Sequence, residues 1–403
     1  MNSLVLTFWM LAFASMEAQP VSYTHDFTSK PQVKWTFHTS SEFFSSPVVM
    51  GDLVYIGGLD SILHAIDLQT GKEVWQFKSG GAIRSTVFAD DEYVYLNGGD
   101  GNIYCLVRYD GALQWIFQTG GKERYDFADY FDSAPVVVDN LLYVGSSDFN
   151  LYALDATNGS EIWHYPTDGM VHTTPAIANG GIYFGSFDGY VYALDAQNGT
   201  LRWKFKTVGH RYFPKGEVQG SPVITDQLIV IGARDYNVYA IDRENGYCHW
   251  NKSFQNGWGL SNTVFKDTLF IAGADERKII CVNEKSGSEF WNKPMEFLIF
   301  GNLVFSQKMF YVGTTNGKLH GFDRISGERV WQFETEEYLE KRSSYFKDDD
   351  TYRDDIYSII KSNEEFLEVE CELGGVFSTP ALVNDLLLFS STNGKLYCLE
   401  EAK

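Results

Sequence analysis

The side chains best suited to recognition fall in two stretches. The first runs Lys122, Glu123, Arg124, Tyr125, Asp126, Phe127 and then Asp129, Tyr130, Phe131, Asp132; the second carries His210, Arg211, Tyr212, Phe213, Lys215 and Glu217. Arginine beside an aromatic ring is a binding composition, because both bury a large area at low entropic cost. Arg124, Tyr125, Tyr130, His210, Arg211, Tyr212 and Lys215 are therefore the candidate binding residues, with Trp258 as a stacking platform. The alternative is that these aromatics pack their loops onto the body of the molecule. Bond-making chemistry is poorly served. Asp126 or Asp129 could face a sugar, but no carboxylate pair of arguable separation is available for glycoside hydrolysis. There is no glycine-rich phosphate loop and no zinc spacing. The run Asp348-Asp349-Asp350 lacks the spacing and the glycine of a calcium loop. No catalytic residue and no metal ligand is assigned.

These stretches lie between copies of a repeat. Ala153 to Trp163 reads Ala-Leu-Asp-Ala-Thr-Asn-Gly-Ser-Glu-Ile-Trp, and its Ala, Asp, Gly and Trp return at Ala65 to Trp75, Ala193 to Trp203 and Ala240 to Trp250. Looser copies run Cys105 to Trp115, Cys281 to Trp291 and Gly321 to Trp331. The Asp can cap the turn and the Gly supplies positive φ. Upstream of each copy lies a Ser/Thr-rich strand start, and Pro47, Pro135, Pro175 and Pro222 each stand 28 residues before their Trp. Between the two sits an Asp-Gly hairpin signal such as Asp188-Gly189. Each repeat thus holds four strands in meander order, and a period of roughly 40 residues marks a repeat architecture. His64 and His320 take the position of Tyr152 in blades that are not neighbours and read as structural. Cys105, Cys281 and Cys398 take the position of Ala153, so they read as buried alanine substitutes rather than disulfide partners.

Radial repetition of four-stranded antiparallel units is the architecture of a β-propeller. Counting strand starts gives eight blades. The last blade stops at Cys398-Leu399-Glu400, one strand short, and a surplus Trp strand, Val33 to Phe37, stands at the other end of the chain. The expected fold is all-β, an eight-bladed propeller closed by its N-terminal strand. Residues 19–403 then form one domain, with an acidic, partly helical insertion at 334–372. Within that insertion Thr351 to Ile360 reads as a capped amphipathic helix.

The formal charge of −21 disfavours nucleic acid as a partner. Residues 4 to 14 form an apolar run too short to span a bilayer, followed by small residues, which reads as a secretory signal peptide over 1–18. No transmembrane segment is expected, and no Cys near the cleavage region offers a lipid anchor. The mature protein is expected to be periplasmic or secreted, and a monomer. Asn158, Asn198 and Asn251 head sequons in or beside the repeat turns.

The repeat resembles the tryptophan-docking motif of the eight-bladed quinoprotein-type propellers, a family that includes quinoprotein alcohol dehydrogenases and the outer-membrane assembly factor BamB. The resemblance covers essentially the whole mature chain. It implies an inter-blade girdle of Trp35, Trp75, Trp115, Trp163, Trp203, Trp250, Trp291 and Trp331. A quinone-dependent member would carry adjacent cysteines and a calcium-binding Glu/Asn/Asp set. No Cys-Cys pair occurs here, so pyrroloquinoline quinone (PQQ) with calcium is not assigned as a cofactor.

The leading expectation is a non-catalytic, BamB-like binding scaffold that takes a protein or a small ligand at the channel mouth. The alternatives are a PQQ-dependent dehydrogenase and a carbohydrate-processing enzyme. The connections from each Trp to the next blade vary in length and belong on the face of the Asp-Gly hairpins. Insertions on one face mark a binding face. Arg124, Tyr130, Arg211, Tyr212 and Trp258 are accordingly expected to be exposed there and grouped.

Overall fold

In the computed structural model of the protein, residues 25–121, 129–273 and 276–402 are described. The expected leader at 1–18 lies outside them. Eight four-stranded antiparallel sheets follow one another around a ring. Blade 4 shows the pattern: an inner strand Ala176–Ala178, a second Gly181–Gly185, a third Tyr190–Asp195 and an outer strand Leu201–Lys206. The second and third strands are buried on both faces, whereas the outer one keeps only its Trp deeply buried. That gradient follows from geometry, because neighbouring blades cover the inner strands and solvent reaches the outer ones.

The core consists of layers between blades. One layer combines Tyr143, Leu151 and Trp163 of blade 3 with Ile182, Phe184 and Leu194 of blade 4. Burying each such side chain contributes about 1.5–3 kcal/mol, so the layers dominate stability. The small residue of the repeat stands opposite its Trp across the sheet, as in Ala153 with Trp163 and Cys105 with Trp115. Cys105, Cys281 and Cys398 are buried free thiols that fill this role.

The turn joining third and outer strands explains the Asp and Gly. In blade 1, Asp67 accepts hydrogen bonds from the Thr70 amide (2.8 Å) and hydroxyl (2.6 Å), which hold its carboxyl below the usual range. Gly71 has φ +70°, and a Cβ there would stand 2.6 Å from Cδ2 of Trp35 in the preceding blade. The Trp35 indole N–H donates to the Leu68 carbonyl at 2.9 Å. The same contact recurs with Trp75 on Gly111, Trp115 on Gly159, Trp163 on Gly199, Trp203 on Gly246, Trp250 on Gly287 and Trp291 on Gly327. The Ser/Thr-rich strand starts also have a task. The hydroxyls of Ser45, Ser85, Thr173 and Ser378 donate to the second strand of their own blade, while Thr86 and Thr174 accept from the amides of Ser46 and Ala134 in the preceding blade.

Blade 8 is completed as the surplus strand requires: Gln32–His38 pairs with Lys395–Glu400, Trp35 standing opposite Cys398. This blade has no turn between its third and outer strands for Trp331 to lie on. Phe27 takes that place. Its ring is wholly buried, its carbonyl accepts from the Trp331 indole at 2.6 Å, and its amide donates to the Tyr311 hydroxyl at 2.9 Å. Asp26 accepts from Ser306 Oγ and from the Lys308 amide.

The insertion differs from expectation. Thr351 to Ile360 holds only a single helical turn, α1 (Ile356–Ile359), and the longer helix is α2 (Asn363–Glu372), capped by Ser362. The reason is Tyr352, which pairs with Phe346 in an isolated β-bridge and packs on Phe297, forcing extended backbone where the periodicity reads helical. Asp350 forms ion pairs with Lys318 and Arg342.

Candidate functional site

Hairpins between second and third strands, and the connections between blades, emerge on one face: the Ser79 amide that opens one connection donates to Ser61 in the hairpin beside it. The uniform Gly turns lie on the other. Every connection ends by dropping into the channel wall, and the residue three places before the inner-strand Pro, or its equivalent, reaches the mouth. Around the ring that position is Phe44, Arg84, Asp132, His172, Gln219, Leu260, Phe300 and Phe377. Leu260 and the three Phe stand on four consecutive blades; the four polar residues stand on the other four. The mouth is therefore divided into an apolar half and a polar half.

The apolar half is a plug. Tyr130, from the connection into blade 3, stacks on Phe44 (ring centroids 5.9 Å apart) and meets Phe377 at 5.1 Å and Phe300 at 4.9 Å. Phe300 belongs to blade 7, on the opposite side of the ring, so this contact crosses the channel axis. Trp258 and Leu260 complete the cluster. Tyr130 and Trp258 were expected to be exposed; they are 6% and 8% exposed. Their rings turn inward because the channel is the one place where loops from opposite blades can bury them together. Next to Trp258 lies Arg234, wholly buried, its guanidinium 4.9 Å from the Trp258 ring and 5.2 Å from that of Phe187, with Nε donating to Gln219 at 2.7 Å.

In the second recognition stretch Arg211, Tyr212 and Lys215 are exposed, His210 and Phe213 are half-buried and Glu217 is buried. His210 and Phe213 exchange backbone hydrogen bonds and close a tight turn. His210 stacks on Tyr236 and Phe213 packs on Trp258, which anchors the base. The tip presents Arg211, its guanidinium 4.4 Å over the Tyr212 ring, and Lys215; Tyr212 is 63% exposed. Arg124, Tyr125, Asp126 and Phe127 lie outside the described residues. Structure brings His210, Arg211, Tyr212 and Lys215 together, and separates them from Tyr130 and Trp258 by burial.

The polar half holds groups that sequence reasoning passed over. His172 is 5% exposed; its Nδ1 lies 3.0 and 2.9 Å from the two oxygens of Asp129, and its Nε2 lies 2.7 Å from Ser147 Oγ. Burial alone pushes the imidazole toward neutrality, but the Asp129 hydrogen bond and charge, with Asp132, outweigh it and Arg234, and raise the pKa above 6.5. Asp129, 2% exposed and bound to His172, is not available as a sugar-facing carboxylate. The signal that could have found His172 is its column in the repeat: Phe or Leu stands there in the blades of the apolar half.

Two cavities flank the mouth. One, of about 170 Å³, is lined by Arg84, Asp132, Ser147 and His172 among others. The other, of about 590 Å³, lies between the plug and the insertion and is lined by Phe44, Tyr130, Leu367 and Cys371, with Glu42, Glu337, Glu368, Glu372, Arg84 and Lys341 around them. Of the two structural histidines, His64 contacts Glu73 at 2.6 Å and His320 lies 3.1 Å from Thr314 Oγ1. Among the described residues no group of three or more His, Cys, Asp or Glu side chains could hold a metal ion, and no helix is long and apolar enough to cross a membrane.

A family model described as outer membrane protein assembly factor BamB matches residues 27–128, 122–257 and 234–352. The crystal structure of BamB from Moraxella catarrhalis superposes with a TM-score of 0.67 at 15% identity, over 92% of this chain and 98% of that one. A europium-containing methanol dehydrogenase superposes at 0.70 and 12% identity, over 94% and 95% of the two chains. The quinohemoprotein alcohol dehydrogenase from Comamonas testosteroni gives 0.71 at 12%, over 94% of this chain and 78% of that one. At these identities the structural likenesses show the fold alone. No curated protein matches the chain by sequence.

Proposed function

The chain belongs to the family described as outer membrane protein assembly factor BamB, and from that premise we propose that it is an exported scaffold that binds another protein through its long-loop face. The observation that supports this reading is the turn at 210–215. It is anchored from below by Phe213 on Trp258, and it offers a cation stacked on an exposed aromatic ring. Rigid aromatic and Arg anchors of this kind carry most of the energy in protein interfaces. The opposite face repeats its Gly turns, and its exposed large side chains, Tyr109, Tyr247 and Ile325, stand singly on separate blades. Export through a cleaved segment at 1–18, a periplasmic or secreted location and a monomeric state belong to the same proposal.

No quinone cofactor is part of this proposal. Among the described residues no group of three or more His, Cys, Asp or Glu side chains could hold a metal ion. The smaller cavity, about 170 Å³, falls below the ~300–1,000 Å³ of ordinary cofactor sites. The larger one is rimmed by Glu42, Glu337, Glu368 and Glu372 against Arg84 and Lys341, a net negative lining that opposes a tricarboxylate quinone.

The test is a combined Arg211→Ala, Tyr212→Ala, Lys215→Ala variant, compared with the parent in copurification from the envelope of the exporting cell. Partner recovery is expected to fall at least about fivefold, while stability stays within about 0.5 kcal/mol, as for surface changes elsewhere. Equal recovery from both proteins would remove the basis of the reading.

A further inference from the structure

We propose that Ser147, His172 and Asp129 form a nucleophilic acyl-transfer site in the polar half of the channel mouth, which hydrolyses neutral short-chain esters. This goes beyond the docking role and rests on different residues. A serine nucleophile needs a base in hydrogen-bond contact and a third group that fixes the base. Both contacts are present: Ser147 Oγ lies 2.7 Å from His172 Nε2, and the Asp129 carboxylate lies 2.9 Å from His172 Nδ1. Ionised Asp129 can only accept, so Nδ1 carries the proton and neutral Nε2 faces the hydroxyl as a base.

The three residues come from separate segments held by the fold. Asp129 lies in the connection into blade 3, Ser147 in the hairpin of blade 3 and His172 in the connection into blade 4. The Phe187 ring meets the imidazole edge-on, centroids 5.4 Å apart.

The repeat itself indicates that the fold does not require this trio. The position of Ser147 is Leu59, Gly99, Phe187, Arg234, Thr315 or Thr392 in other hairpins, and that of His172 is Phe44, Leu260, Phe300 or Phe377 across the ring. Burying a carboxylate with an imidazole where an apolar pair would serve is costly, so a polar trio here calls for a role other than packing.

Ser147 is partly accessible and opens into the cavity of about 170 Å³, which it shares with Arg84 and Asp132. That volume admits a short acyl group. Arg84 lines the same cavity and contributes positive charge to it, the sign that stabilises a developing oxyanion. Its opposite number, Asp132, and the net charge of −21 disfavour an anionic substrate, hence a neutral ester. In the first step Ser147 Oγ forms a bond to the acyl carbon and its proton passes to His172 Nε2. The bond from the acyl carbon to the alcohol oxygen then breaks, and His172 returns the proton to the departing alcohol. Water, deprotonated by His172, then attacks the acyl carbon; the bond from that carbon to Ser147 Oγ breaks, His172 returns the proton to Oγ, and the carboxylic acid leaves. Ester and water give acid and alcohol, with no oxidant or reductant.

The test uses the full chain with a fluorophosphonate probe and with 4-nitrophenyl acetate and palmitate. Covalent labelling is expected on the peptide carrying Ser147, with acetate cleaved in preference to palmitate. Labelling is lost in Ser147→Ala and slowed at least about 100-fold in His172→Gln, the scale of general-base contributions. Asp129 is a positioning residue, and Asp129→Asn should also move the acid limb of the pH–rate profile to lower pH, since the carboxylate that raises the His172 pKa is gone. Ser147→Ala removes a single oxygen, so its melting temperature reports whether folding is intact. A parent protein that is labelled no faster than Ser147→Ala, with both folded, overturns the proposal.

Discussion

Replacing Phe27 by Ala tests whether the N-terminal tail is part of the ring or only trails from it. The ring of Phe27 is wholly buried among Tyr311, Trp331, Leu382 and Leu399, so the change removes packing from both blades 7 and 8. Phe→Ala in a core costs about 3–5 kcal/mol. The backbone hydrogen bonds to Trp331 and Tyr311 survive the substitution in principle, so the figure is for packing alone. With ~2.1 cal/mol/K of unfolding entropy per residue, a chain of 403 residues loses roughly 1 °C per kcal/mol, so the melting temperature should fall by about 4–6 °C. Differential scanning calorimetry reads this directly. Phe290→Ala, at a ring 60% exposed on an outer strand, is the control and should stay within about 1 °C. If Phe27→Ala melts like the parent, the tail is a loose appendage and the account of how Trp331 is covered is wrong.

Three further outcomes follow from the same structure. Gly199→Ala combines a positive φ of +70° with a Cβ only 2.8 Å from Trp163, and should cost about 2–5 kcal/mol from backbone strain and overpacking, measured by urea unfolding. Deleting residues 1–40 strips the outer strand of blade 8 and Trp35, and should replace a single sharp unfolding transition by a broad or split one in calorimetry; a transition as sharp as the parent's counts against closure by this strand. His172 has a raised pKa in the folded state, through Asp129 and Asp132 against burial and Arg234, so its contribution to stability is fully present below pH 6.5 and is lost as pH rises through the folded value. The stability gap between the parent and His172→Gln should therefore shrink from pH 5.5 to pH 9, whereas buried His320, depressed well below 6.5, should cost stability as pH falls; a His172 gap that widens at alkaline pH contradicts the assignment.

The ring was readable because its cause is local. Ala153, Asp155, Gly159 and Trp163 are one hairpin, and the contact of Trp163 with Gly199 repeats at the period of the sequence. Closure was readable from arithmetic, one strand over at Trp35 and one missing after Glu400. The tail was not, because Phe27 replaces a turn with residues that share no motif with it. The loop aromatics misled for a related reason. Whether Tyr130 faces water or the axis depends on Phe300, some 170 residues away, and only the assembled ring brings them to 4.9 Å. His172, Ser147 and Asp129 were each visible as polar residues, but their meeting depends on two connections and a hairpin converging. In the insertion, the Ile spacing was right for a helix, and Tyr352 outweighed it by packing against Phe297.

The pairing of Gln32–His38 with Lys395–Glu400 also sets a timetable for biosynthesis. The strand bearing Trp35 leaves the ribosome well before its partner. At about 5–20 residues per second, the roughly 360 residues between them take about 20–70 s. Throughout that interval the nascent chain carries a complete but unmated β-edge, the kind of edge that recruits strands from other chains. Seven blades can stack as they emerge; the eighth must wait for residues 395–400. A ribosome stalled before residue 395 leaves residues 32–38 without their partner and a ring that cannot shut.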